Sequence, residues 1–303
     1  MLAGCASAAP LEVVTTTTDL KSLVEVVGGD GVRATALVAG SSDAEDYVAR
    51  PQDVLHVKRA QVIVRVGLDY DLWLDALLKK SANSRVQKGT PGYVDASQGM
   101  MLLDVQPRGL SDAGHGHGIG NPHYWLDPKN AELMTGHILL ALADAAPQDA
   151  KRFEAQRMAF LDRLKQREAQ WLRRVQPLQG RALIAYHNSW PYLARRLQLN
   201  FVGAIEPRPG VAPPPAHLAR LLEIAKKERV AGIVLGTREP RRDAEFLAKK
   251  LGVPIVVLAE SVGAAPAIQR YEDLMEFNVA AFEILMTKTT KTTKTTQSTD
   301  AQR

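Results

Sequence analysis

Twice along this chain, short β-branched or continuously apolar runs alternate with amphipathic segments, and one long charged stretch separates the two series. This alternation restricts the fold more than any other feature. Strands joined by helices pair in parallel and need both sheet faces covered. In the first series, residues 11–17 read as a strand, 20–27 as an amphipathic helix stopping at Gly28-Gly29, and 33–38 as a second strand. A helix over 51–59, a strand over 61–66, a helix over 68–78 and a short strand over 93–95 continue it. The second series holds strands over 181–186, 200–205, 231–235 and 254–258, with helices over 190–197, 215–229 and 241–251. A last helix is expected over 267–286, and the Thr/Lys repeat from Thr287 onward, lacking apolar residues, is expected to be disordered.

Residues 147–175 read as one helix, with Phe153, Leu161, Leu164, Trp171, Leu172 and Val175 among many charges. At roughly 1.5 Å per residue it spans about 45 Å, more than a helix within one domain needs. Its apolar positions hold no heptad, so it reads as a spacer and not a coiled coil. The expected architecture is therefore α/β: two lobes, each a parallel sheet flanked by helices, joined by one long spacer helix with a cleft between the lobes. The boundaries run 11–146 for the N-terminal lobe, 147–177 for the spacer and 178–286 for the C-terminal lobe. Residues 1–10 are expected to be a lipobox remnant and linker, and 287–303 a disordered Thr/Lys tail.

A hydrophobic fraction of 46% with 23% charged residues fits a globular chain and excludes an intrinsically disordered one. The apolar runs are too short for a membrane-spanning helix. Of the net charge of +5, the tail contributes Lys288, Lys291, Lys294 and Arg303 against Asp300, which leaves the body weakly basic. Without a basic stripe interleaved with aromatics, nucleic acid is a poor candidate partner. One cysteine permits neither a disulfide framework nor a thiolate metal site. That residue stands in Leu2-Ala3-Gly4-Cys5, which resembles a bacterial lipobox and implies an exported chain anchored through a lipid on Cys5. A chance run of small residues is the other reading.

Ligands of open parallel sheets sit outside the carboxyl ends of the strands, so the residues just after strands carry the functional information. Glu45 lies in the acidic loop Asp43-Ala44-Glu45-Asp46 after the second strand. His123 is held in Asn121-Pro122-His123-Tyr124-Trp125-Leu126-Asp127-Pro128, where two prolines and flanking aromatics fix the backbone. His187 follows the first strand of the second series, and Glu260 follows its last. Each has an ordinary alternative: a solvated acidic loop for Glu45, a helix cap or carbonyl partner for His187, a turn acid for Glu260. Together, two imidazoles and two carboxylates neutralise a divalent cation and suit zinc, manganese or iron.

The chain also resembles a known family. Thr15-Thr16-Thr17 with Asp19, the Asn121–Pro128 run, Tyr186-His187 followed by Pro191-Tyr192-Leu193-Ala194-Arg195-Arg196, and Gly232-Ile233-Val234 ahead of Arg238-Glu239-Pro240 look like the cluster A-I substrate-binding proteins. These are the zinc- and manganese-binding receptors of ABC importers. The resemblance runs from about residue 11 to 286 and implies two α/β lobes bridged by a rigid helix around one buried metal. His123 and His187 match the family's second and third ligands, and Glu260 falls where relatives place an aspartate. Glu45 stands where the first motif, Asp-Pro-His-x-Tyr-Glu-Pro in relatives, has its histidine. In this resemblance three histidines with one carboxylate suggest zinc, and two of each suggest manganese. His115 and His117 echo the histidine-rich loop of zinc receptors, or are incidental to a glycine loop.

The expected function is capture of one divalent ion, zinc ahead of manganese, by a monomeric periplasmic or cell-surface protein that hands it to an ABC permease. The expected ligands are Glu45, His123, His187 and Glu260, and no catalysis is expected. A metallohydrolase with Asp46 or Glu239 as general base is the alternative, as is a metal-free adhesin or organic-ligand receptor. The sequence has no Gly-x-Ser-x-Gly elbow, phosphate loop or His-Glu-x-x-His motif to favour an enzyme.

Overall fold

The computed structural model describes residues 9–104, 120–208 and 210–297, with side chains to Met286. Cys5, His115 and His117 lie outside the described residues. The chain divides into two compact units, neither continuous in sequence. The first comprises Met1–Met101, Lys129–Lys165 and Ser261–Gly263; the second comprises Leu102–Pro128, Gln166–Glu260 and Ala264–Arg303.

The first unit is built on four strands, β1 (Leu11–Thr15), β2 (Val32–Ala36), β3 (Val62–Arg65) and β4 (Tyr93–Asp95), in the order β2-β1-β3-β4 and all parallel. Central β3 is buried throughout, whereas edge β2 is only partly covered, as its Arg33 and Thr35 predict. Helices α1 (Thr18–Gly28), α2 (Pro51–Arg59), α3 (Trp73–Ser81) and α4 (Ala131–Ala145) supply the crossovers and flanks. Val14, Val57, Ile63, Leu74, Leu77 and Val86 form a core on one face of this sheet.

Helix α3 starts five residues later than the sequence pattern predicts, and the backbone explains why. Gly67, Leu68 and Asp69 all take positive φ, of 79°, 53° and 64°, which no right-handed helix accommodates. Buried Asp71 holds that turn. Its carboxylate accepts the Val66 N–H at 2.7 Å, the Gly67 N–H at 3.2 Å and Arg65 Nε at 2.9 Å.

The second unit repeats the plan. Strands β5 (Ala182–Ala185), β6 (Asn200–Ala204), β7 (Gly232–Gly236) and β8 (Ile255–Leu258) run parallel in the order β6-β5-β7-β8. Helices α6 (Pro191–Leu197), α7 (Pro215–Lys227) and α8 (Arg241–Leu251) connect them. Ile184, Ile205, Leu221, Ile233, Leu235 and Leu247 fill the core on one face. Because all four strands are parallel, the loops after β5, β6, β7 and β8 emerge at one edge of the sheet.

The long helix, α5, runs Ala150–Val175, between single 3-10 turns at Pro147–Asp149 and Gln176–Leu178. Its residues to Lys165 belong to the first unit and those from Gln166 to the second. Within the second unit Trp171 Nε1 donates to Glu276 Oε2 at 2.8 Å, and Arg174 pairs with Glu276 and Glu283 at 2.6 and 2.7 Å. Those acids lie on α9 (Tyr271–Gln297).

Candidate metal centre

In the second unit the four strands deliver five chemically distinctive residues from their carboxyl ends: His187 after β5, Glu206 after β6, Arg238 and Glu239 after β7, and Glu260 after β8. The register that aligns them is visible in the main chain. Ile205 N–H donates to Ala185 O at 2.8 Å and Glu206 N–H to Tyr186 O at 2.9 Å, so Glu206 comes to rest beside His187.

His123 joins this unit, not the N-terminal lobe where its place in the sequence puts it. Hydrogen bonds fasten its loop. Trp125 Nε1 donates to Glu260 O at 2.8 Å, Tyr192 Oη to Asn121 O at 2.9 Å, and Tyr271 Oη to Trp125 O at 2.5 Å. Fully buried Asp127 accepts from Arg196 at 2.7 Å and Arg195 at 3.1 Å. Tyr124–Leu126 form a 3-10 turn and Pro128–Asn130 another, which leads into α4.

These contacts also set the protonation geometry of both imidazoles. Asn121 Nδ2 donates to Asn188 O at 2.8 Å, which turns its Oδ1 toward His123. That oxygen lies 3.0 Å from the His123 main-chain nitrogen and 3.1 Å from Nδ1, so Nδ1 carries the hydrogen and Nε2 keeps its lone pair. At His187, Nδ1 lies 2.5 Å from Glu206 Oε2, and Glu206 Oε1 accepts the Gly210 N–H at 2.7 Å. A carboxylate accepts only, so here too Nε2 is the basic nitrogen. The two rings lie 5.9 Å apart at 66°, with a nitrogen of each within 4.8 Å of the other. The Trp125 ring covers His123 at 5.2 Å, and His123 is buried.

Glu260 is buried, with Oε1 accepting from Ser189 Oγ at 2.6 Å and Oε2 from Arg238 Nη2 at 2.8 Å. It makes no compact ligand group with the two histidines among the described residues. Glu239 accepts the His187 N–H at 3.2 Å and the Gly236 N–H at 2.5 Å. A Cβ on Gly236 would stand 3.0 Å from the Glu239 carboxyl carbon, so glycine permits this closeness. Burial first, then the Glu260 charge, pushes Glu239 up to about 8, only partly offset by those N–H groups and by His187.

Glu45 belongs to the first unit, half-buried in the turn after β2, with its N–H donating to Asp43 Oδ1 at 2.9 Å. Trp73 Nε1 donates to Ala44 O at 2.8 Å and packs against Tyr47 at 4.8 Å between ring centres, which orders the loop that carries Glu45. Asp46 is exposed in the same turn. Glu206 and Arg238 were not among the residues the sequence reading proposed for the site. An acid directly after the strand that neighbours the His187 strand was the available signal for Glu206.

The profile of a family described as zinc-uptake complex component A, periplasmic, matches residues 13–284. A Treponema pallidum (strain Nichols) protein provisionally named as metal-binding is 27% identical over 251 residues, 81% of this chain and 78% of the relative. The zinc-binding lipoprotein AdcA of Streptococcus pneumoniae (strain ATCC BAA-255 / R6) is 25% identical over 281 residues, 90% of this chain. The chain spans about half the length of that relative, 55%. A crystal structure of ZnuA superposes with a TM-score of 0.76 at 25% identity, over 91% of this chain and 98% of that one.

Proposed function

This chain belongs to the family of periplasmic zinc-uptake component A proteins, and on that premise we propose that it captures one divalent transition metal, zinc ahead of manganese, and delivers it to an ABC importer. The observation that carries this reading is the paired histidines. His123 and His187 each commit Nδ1 to an oxygen acceptor and keep Nε2 basic, and their rings lie 5.9 Å apart. Two imidazoles oriented this way form half of a four-coordinate zinc site. We assign Glu45 as the further oxygen donor from its sequence position. Glu260 is a second carboxylate whose charge is shared with Arg238.

The work done is binding and release. The histidines replace part of the ion's water shell at little cost in side-chain ordering, because Asn121 and Glu206 already hold the rings. Release follows when docking on the permease disturbs that geometry. Among the described residues no helix is long and apolar enough to cross a membrane. We place the chain outside the cytoplasm as a monomer, held at the membrane through a lipid on Cys5.

Zinc titration of the purified chain against a chromophoric chelator tests the reading. About one zinc per chain should bind, and His123→Ala with His187→Ala should abolish it. Full zinc binding by that double variant would defeat the proposal.

A further inference from the structure

Glu260 is fixed against both histidine loops. Its side chain bonds to Ser189, two residues after His187, and its main-chain oxygen to Trp125, two residues after His123. The preceding residue is clamped as well: Asn278 accepts the Ala259 N–H at 2.8 Å and donates to the Ala259 oxygen at 2.9 Å. A buried carboxylate held this firmly would be a strong anionic donor if left alone. It is not left alone, because Arg238 enters from the loop after β7 and places Nη2 2.8 Å from Oε2.

We propose that Arg238 is a specificity-determining residue of the metal centre: by compensating the Glu260 charge it weights the site toward zinc and against manganese. The proposal rests on the metal-capture reading above. A carboxylate that shares its oxygens with a guanidinium and a hydroxyl gives less electron density to a cation. Manganese depends on anionic oxygen and loses most of its attraction. Zinc keeps the two imidazoles, which suit it better. With the Glu260 and Arg238 charges cancelled, the second unit offers a dication mainly neutral nitrogen. Arginine suits the task because its planar guanidinium stays charged and fixed in direction at any working pH.

The test compares zinc and manganese dissociation constants of the intact chain, each by competition with a fluorescent chelator, alongside melting temperatures. Arg238→Met should tighten manganese binding about 10-fold more than zinc binding, the scale at which groups around a metal's ligands act. Arg238→Lys should keep the wild-type preference. The double variant Arg238→Met with Glu260→Gln should return to it, because no released carboxylate remains. An unchanged preference in folded Arg238→Met overturns the proposal. Should that variant fail to fold, the same comparison is made on Arg238→Gln, where an unchanged preference overturns the proposal equally. Failure of the wild-type chain to bind zinc strikes the metal-capture reading itself.

Discussion

His187 Nδ1 and Glu206 Oε2 lie 2.5 Å apart, and the carboxylate is itself held by the Gly210 N–H. The main-chain pairing of residues 205 and 206 with the end of β5 puts them there, so the orientation of the imidazole is written into the sheet. Glu206→Ala should weaken zinc binding about 10- to 100-fold, with the melting temperature of the metal-free protein little altered. Glu206→Gln, which can still accept from Nδ1, should fall between that variant and wild type. Chelator competition measures both, and equal affinities for Glu206→Ala and wild type would remove Glu206 from the centre.

Asn121 does for His123 what Glu206 does for His187, with a neutral amide. Asn121→Ala should cost about 10-fold in zinc affinity. Because it also strands the buried His123 N–H, it should cost about 1–3 kcal/mol of stability. Urea titration and zinc competition on one preparation separate the two effects.

The alternation of apolar and amphipathic segments was enough to read most of this architecture. Helices α2 and α8 begin and end where Pro51, Arg59, Arg241 and Leu251 predict, and β4 occupies residues 93–95 as expected. Periodicity is local, and it missed what local signals do not encode. The left-handed turn at Leu68 and Asp69 depends on the Asp71 carboxylate reaching back to two amides, so the pattern started α3 too early. The segment carrying His123 joins the second unit through Trp125, Tyr192 and Tyr271, whose partners lie about 70 to 150 positions away in sequence. His123 and His187 were recognisable from residue type and loop position. The protons on their rings were not, because these depend on Asn121 and Glu206. Glu260 was recognisable as a strand-end acid, but its Arg238 partner becomes evident only when the ends of β7 and β8 are side by side.

His137, on α4 in the first unit, gives the metal-free protein a defined acid sensitivity. Burial holds its imidazole below the ordinary histidine range, outweighing the Asp95 charge and the hydrogen bond to Ala96. The unfolded chain therefore takes up a proton near pH 6.5 that the folded chain resists, so stability is present above that pH and declines below it. His137→Gln cannot titrate and should flatten the decline in melting temperature between about pH 6.5 and 5. An identical slope in variant and wild type would contradict this assignment.

A hydrolase built on the same residues would need turnover. Ester and phosphoester substrates incubated with zinc-loaded protein should show no hydrolysis above that of free zinc. A chelator-sensitive rate lost in Glu239→Gln would instead support the enzyme alternative.

The central claim is that His123 and His187 together hold the captured ion. Zinc-edge X-ray absorption on the loaded wild-type chain tests it most directly, because imidazole scattering reports the number of bound histidines. The account predicts about two imidazoles at zinc–nitrogen distances near 2.0–2.1 Å, with that signal lost in the His123→Ala, His187→Ala double variant. Zinc bound with oxygen donors alone, or an unchanged spectrum in the double variant, would contradict it.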